Sequence, residues 1–354
     1  MRSHTRRSVL GVISSAGTLA LAGCLGGEDD TADGGGSGGG SGFPADGQNI
    51  LLAIQSSPGG GFDWYGRTLA SYIEEYLPGD PTIQPENLSG AGGLEAYNHV
   101  GTADPDGSSI LLRDMLNSTT QQIGLPSSQV MYDVREYTEL ATIAVTRMGW
   151  VQRSDLPPVD NWDDFVELMT TENIATAGVG HVSHTGPIVM GGLTGAWEQD
   201  DLNFVHYDGS GPMMAGISRG EAGSNFYTDV TQSSYINDGE DIEPITSLHP
   251  ERPDIEFWDS VPTIEQLGAP EAGELVDALG IPRPFSAPSG TPGDIQDVLE
   301  EAILDSLNDD DFLAEAAENG RPVEPLDAAE TAALQETLYD VWLDQEGLLT
   351  DLLG

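Results

Sequence analysis

The residues best placed to do chemistry in this chain are glycines. The stretch "SSPGGGFDWYGR", residues 56–67, follows the apolar run Ile50–Ile54 and leads into an amphipathic segment, so Gly59, Gly60 and Gly61 occupy a strand-to-helix turn. Such a turn exposes the first N–H groups of a helix, and these donors together with the helix dipole favour an anion without any basic side chain. "NLSGAGGLEAYNHV", residues 87–100, repeats the design with Gly90, Gly92 and Gly93. Glycines that only supply positive φ in a turn would leave the same pattern. Two such turns in one half of the chain could also converge on one anion. A dinucleotide fingerprint is excluded because Trp64 stands where its third glycine is required, and a phosphate loop because the chain has no lysine.

Other arrangements carry less. Gly216–Gly220 satisfies G-x-S-x-G around Ser218, which raises a serine esterase. A nucleophile elbow needs a strand before the serine and a helix after it, and here the order is reversed. His181 and His184 stand three apart with no third ligand clustered near them, so no metal is assigned. No catalytic residue and no cofactor is implied. Asp63 is expected to cap its own helix, since an acid in the first turn suits the dipole. Arg67, one turn on, reads as a surface ion pair or a ligand partner.

From residue 50 onward, short β-rich runs alternate with amphipathic segments: "NILLAIQ" then 62–77, "SSILLRD" then 117–123, "NIATAGVG" then 184–197, "LNFVHY" then 212–219, "GSNFYTDV" then 231–237. The chain ends helical from 292. This alternation predicts an α/β fold of mostly parallel sheets with helices on both faces. The β-prone run at 139–155 and the strand at 243–247 before "HPERPDI" read as two crossings between lobes. The expected organisation is lobe 1 at 47–147 and 247–354, lobe 2 at 148–246, and a ligand cleft between them.

The chain has 354 residues and 12 basic residues, all of them Arg, against 59 Asp and Glu, giving a formal charge of −47. That balance excludes nucleic acid as a partner, because phosphate binding needs a basic face. The acid is dispersed and lysine is absent, the habit of proteins working in salt near 1 M, where charges are screened within about 3 Å. Thr5–Leu10, "TRRSVL", is a twin-arginine signature, followed by a weakly apolar stretch that ends at "LAGC". Residues 1–23 therefore read as a signal peptide. Cys24, the single cysteine, resembles the lipidated residue of a lipoprotein. Residues 24–46, rich in Gly, Ser and Asp, read as a flexible tether reaching roughly 25 Å. The expected location is the extracellular face of the cytoplasmic membrane, with the lipid as the membrane contact.

The motifs "PGGGFDWYGR", "ENLSGAGG", "ADPDGSSILL", "AGVGHVSH", "FVHYDGSGPMMAGISRGEAG", "SVPTIEQLG" and "FSAPSGTP" occur in one order across residues 50–345. Together they resemble the tripartite tricarboxylate transporter substrate-binding proteins, in a haloarchaeal lipoprotein form. The resemblance implies a two-lobed periplasmic-binding-protein-like fold with two mixed sheets flanked by helices. It implies capture of a small organic carboxylate and delivery to a large and a small integral membrane subunit. The alternative is a sensing module for a membrane signalling protein. The resemblance places the ligand on Gly59, Gly60, Gly61, Phe62 and Asp63, and on Gly90, Ala91, Gly92 and Gly93. From the other lobe it adds Gly180, Ser183, His184, Tyr207, Gly209 and Asp229. Ser183 reads equally as a helix cap, and Asp229 as a turn former. Phe62 departs from the family, which usually has Thr or Ser there.

Overall fold

In this computed structural model the described residues are 42–353, apart from 179, 180, 208, 209, 238, 240, 252, 254 and 255. The signal, Cys24 and most of the tether, together with Gly180 and Gly209, lie outside them.

The first sheet collects β1 (Asn49–Ile54), β2 (Thr82–Asn87), β3 (Ser109–Leu112) and β4 (Thr138–Thr146) with the late strand β10 (Ile281–Ala287), in the order β2-β1-β3-β10-β4. Strands β2, β1 and β3 are parallel, and β10 runs antiparallel to both of its neighbours. The second sheet, β7-β6-β8-β5-β9, repeats the plan. Its strands are β5 (Met148–Arg153), β6 (Asn173–Thr176), β7 (Asn203–His206), β8 (Ser224–Thr228) and β9 (Ile242–Ser247). Here β7, β6 and β8 are parallel, and β5 runs antiparallel to β8 and β9. The α/β fold of two mixed sheets is thus present, and each sheet is completed by a strand that crosses from the other half.

Helices fill the connections. In the first half they are α1 (Gly61–Tyr76), α2 (Leu94–Gly101) and α3 (Met115–Gly124). In the middle come α4 (Trp162–Thr171), α5 (Val182–Thr194), α6 (Ser210–Ser218) and α7 (Asp229–Asn237). The remainder are α8 (Ala272–Leu279), α9 (Gly293–Leu307), α10 (Asp310–Glu318), α11 (Ala328–Leu343) and α12 (Glu346–Leu353). Helix α1 shows why: Phe62, Tyr65, Leu69 and Ile73 recur at helical spacing and are buried on β1, whose Ile50, Leu52 and Ile54 are fully enclosed. Gly66 lets the helix approach the sheet, since a Cβ there would stand 2.6 Å from Ile54 Cδ1.

The first crossing falls between β4 and β5, as the long β-prone run suggested. The second comes later than residue 247. After β9 the chain stays with the second sheet: Ile264 N–H donates to Ser247 O, and Trp258 and Val261 join Val151 and Met213 in that sheet's core. It re-enters the first sheet only at β10. What covers β5 is the segment after that loop, where the Trp258 ring packs over Gly149.

Parallel pairing puts the C-terminal ends of β1, β2 and β3 on one edge, and those of β6 and β8 on one edge of the other sheet. The helix that follows each strand starts there. In open α/β sheets this edge is where ligands are held.

Candidate functional site

A cleft of about 680 Å³ opens at these edges, lined by loops of both sheets. Its first wall is the turn after β1. Gly59 has φ +88°, and Gly60 caps α1 in extended backbone. The first N–H groups of α1 have no carbonyl within the helix to receive them, and Gly60, Gly61 and Phe62, which carry them, line the cleft. Asp63 does not line it. Its Oδ2 accepts Gly59 N–H at 2.8 Å and its Oδ1 accepts Arg67 Nε at 2.7 Å and Asn87 Nδ2 at 2.9 Å. Burial would raise this carboxyl, but Gly59, Asn87 and Arg67 outweigh it and hold it below its ordinary value. Asp63 is the brace of the turn, and Arg67 is spent on that brace and on Asn87 Oδ1 at 2.6 Å.

The second wall is the 3₁₀ turn Gly90–Gly93, where Ala91, Gly92 and Gly93 have φ of +51°, +67° and +96°. Helix α3 holds this left-handed run through Asn117 and Gln121, which line the cleft themselves. Asn117 Nδ2 donates to Gly92 O at 2.6 Å, and Gln121 Nε2 to Ala91 O and Gly92 O at 3.3 and 3.2 Å. Ala91 and Gly92 line the cleft; Gly90 and Gly93 do not. Gly93 packs against Gln55 and Tyr97, where a Cβ would come within 2.7 Å of Gln55 Oε1.

The opposite wall comes from the second sheet and differs from the sequence expectation. Ser183 is fully buried, and its Oγ accepts Ala177 N–H at 2.9 Å, tying the β6–α5 turn shut. His181 takes its place in the lining, stacked on Tyr227 with ring centroids 5.5 Å apart. Its Nδ1 accepts Ser183 N–H at 3.1 Å, which leaves Nε2 to carry the proton of the neutral ring. Burial, then the nearby His184, lowers the His181 pKa to about 4, so this wall gains no imidazolium at neutral pH. His184 packs away from the cleft on Phe204 and His206. Tyr207 turns outward, its hydroxyl donating to Glu221 Oε2 at 2.9 Å. Asp229 is consumed by Val230 N–H at 2.6 Å and His249 Nε2 at 2.7 Å. Its neighbours Thr228, Val230 and Thr231 face the cleft instead.

Of the expected site residues, Gly60, Gly61, Phe62, Ala91 and Gly92 therefore line the cleft. Gly59, Asp63, Gly90, Gly93, Ser183, His184, Tyr207 and Asp229 support it from behind or lie away from it. Among the described residues no cluster of three metal-ligating side chains occurs, and no helix is long and apolar enough to cross a membrane. Ser218 closes α6, with its hydroxyl 3.4 Å from Met214 O, and β8 follows it; this is the reverse of a nucleophile elbow.

Among the lining residues not foreseen, three are charged: Asp114, Arg283 and Arg321. Asp114 caps α3, its Oδ1 accepting Asn117 N–H at 2.9 Å. Burial pushes its pKa up to about 6, against the lowering effects of the Asn117 N–H, Arg283 and Arg113. An anion bound nearby disfavours the charged carboxyl further, so binding is coupled to proton uptake at Asp114. Affinity for an anionic ligand is thus expected to rise severalfold as pH falls from 7.5 to 5.5, and Asp114→Asn to flatten that dependence, as read by calorimetry across the range. A slope unchanged by the substitution would remove Asp114 from the site's electrostatics.

Comparisons with known proteins agree with this geometry. The family model described as "Tripartite tricarboxylate transporter family receptor" matches residues 67–339, beginning just past the first glycine turn. A UPF0065 protein of the TAR-I ttuE-ttuC' intergenic region from Agrobacterium vitis is 26% identical over 81% of this chain and 79% of its own length. A second UPF0065 protein, from Bordetella pertussis, is 26% identical over 80% of this chain and 82% of its own. Among solved structures, a TctC solute-binding protein from Polaromonas is similar, with a TM-score of 0.69 and 18% identity over 88% of this chain and 100% of that one. MatC from Rhodopseudomonas palustris with bound malate has a TM-score of 0.67 and 21% identity over 86% of this chain and 100% of that one. These structural likenesses carry the two-lobed fold. With more than half of its length matched by the family model, the chain belongs to the tripartite tricarboxylate transporter family receptors.

Proposed function

We propose that the cleft captures a small organic carboxylate outside the cytoplasm and hands it to the large and small membrane subunits of a tripartite tricarboxylate transporter. The observation that carries this reading is the α1 N-terminus, built from Gly60, Gly61 and Phe62 and opening into a cleft lined by both sheets. Helix dipole and first-turn N–H groups favour a carboxylate there even in a chain of charge −47, because molar salt screens distant acids and not donors in contact. Structures similar to this one are described with bound malate and with adipate, both dicarboxylates. Affinity in this reading comes from closure of the two lobes on the acid, without covalent chemistry.

Export by the twin-arginine route and lipidation of Cys24 complete the proposal. They place the binding unit on a tether at the outer face of the membrane. Calorimetric titration in molar KCl against mono-, di- and tricarboxylates tests the binding reading: saturable binding of at least one class supports it, and silence across the panel would sink it. For the anchor, the full chain should partition with membranes and a Cys24→Ser chain with the soluble fraction.

A further inference from the structure

Two guanidinium groups meet at the glycine turn. Arg283 leaves β10, and its Nε donates to Thr146 Oγ1 at 2.7 Å. Its guanidinium carbon lies 4.3 Å from the centre of the Phe62 ring and 5.6 Å from that of Tyr65. Arg321 follows α10 and is brought to the same place by Tyr65, whose hydroxyl donates to Pro322 O at 2.6 Å. A Cβ on Gly61 would stand 3.2 Å from Arg321 Nη1 and 3.3 Å from Arg283 Nη1, so those nitrogens are at most 6.5 Å apart. Any side chain at position 61 would press on both.

Neither arginine has a carboxylate at ion-pair distance among the described residues. Five other arginines, at 67, 113, 135, 153 and 219, each sit on an acid. Arg283 Nη1 and Arg321 Nε are moreover buried with no hydrogen-bond partner among the described residues. Burial, and to a lesser degree the charge of Arg321, press the Arg283 pKa below its ordinary value. Asp114, in the same cleft, acts on Arg283 from beyond ion-pair distance and offsets this only in part, so two adjacent cations with no carboxylate in contact are unfavourable until an anion arrives from outside.

We propose that Arg283 and Arg321 form a two-armed clamp that takes the ligand's carboxylate at the Gly60–Phe62 turn, with Phe62 as the ring on which Arg283 rests. This rests on the carboxylate reading above and deepens it: recognition is by charged side chains as well as by backbone N–H groups. It also accounts for the departure at position 62. A hydroxyl there would offer the ligand one hydrogen bond; a ring offers a cation–π seat for a planar, fork-shaped donor.

The test is calorimetry in molar KCl with malate, adipate, citrate and hexanoate, on the native chain and on R283Q, R321Q and F62T. Removing one charge-assisted partner is expected to weaken the tightest of these acids by 10-fold or more, with F62T weakening it less than R283Q. R321Q is the variant whose fold is least at risk, because its nearest ring, Trp64, is 5.7 Å away. R283K serves the other position, keeping the charge while losing the fork, and is expected to bind between the native chain and R283Q. Native affinity in both R321Q and R283K overturns the clamp while leaving carboxylate capture standing. Absence of binding by the native chain overturns carboxylate capture and the clamp together.

Discussion

A Glu139→Ala chain is expected to lose about 3–5 kcal/mol of stability, the cost of stranding a buried charge by removing its partner. Glu139 lies on β4 and pairs with Arg113, which is fully buried. The pair is embedded in hydroxyls: Arg113 Nε donates to Ser286 Oγ at 3.0 Å and Nη1 to Ser118 Oγ at 2.9 Å, while Ser286 donates to Glu139 Oε2 at 2.6 Å. Burial raises the Glu139 pKa and Arg113 pulls it back down, so the ion pair exists only while both groups are present. In a chain of this size the loss corresponds to a fall in thermal midpoint of order 10 °C. Arg113→Met together with Glu139→Ala should recover part of it, because the stranded charge is gone. A single substitution that melts like the native chain would show the charge to be solvated. The pair also serves the site, since Arg113 immediately precedes Asp114 and fixes the turn that carries it into the cleft.

Alternation of β-rich and amphipathic runs made the sheets legible in the sequence, because period and turn residues are local properties. The glycine turns were legible for the same reason, as was Asp63 serving its own turn rather than a ligand, since its partners Gly59 and Arg67 lie within one helical turn; it accepts Gly59 N–H, ahead of the helix, and so braces the turn without capping α1. The clamp was not. Arg283 and Arg321 reach Gly61 from β10 and from the turn after α10, and nothing local to either marks it as facing a cleft. The one available signal was scarcity: with so few cations and so many acids, any arginine unable to find an acid stands out once the fold is known. At the starts of α5 and α7 the reading of Ser183, His184 and Asp229 fell within a residue or two of the lining, while Tyr207 lies away from it. Ser183 and Asp229 are cap-forming types, and caps turn their side chains back onto backbone N–H groups. The wall is formed by Thr228 and Thr231, whose hydroxyls pair with each other at 2.8 Å, and by His181, which lines the cleft although its Nδ1 caps α5 at Ser183 N–H. Position along a strand–turn–helix unit is visible in sequence; which side of the turn each side chain takes is decided by tertiary packing.

Gly149→Ala is expected to be nearly as damaging as Glu139→Ala, although it adds one methyl. Gly149 lies on β5, between β8 and β9, opposite Tyr227 on one side and Ser247 on the other. A Cβ there would fall 2.1, 2.4 and 2.9 Å from three carbons of the fully buried Trp258 ring. The strand cannot retreat, because it is paired on both edges, and the indole is held by its Nε1 donating to Ser233 Oγ at 3.0 Å. Overpacking of a core typically costs about 1–3 kcal/mol, and expelling the ring would raise that toward the roughly 3–5 kcal/mol of a Trp→Ala cavity. Trp258→Leu makes room, so the Gly149→Ala, Trp258→Leu chain should be more stable than the sum of the single losses predicts. Strict additivity in denaturant titrations would refute contact between the two positions. The effect should extend to ligand binding, because the β8 residues registered against β5 are those that present Tyr227 and Thr228 to the cleft. Gly149→Ala is therefore expected to weaken carboxylate binding while leaving the glycine turn and both clamp arginines in place, separating the contribution of the second lobe from that of the first.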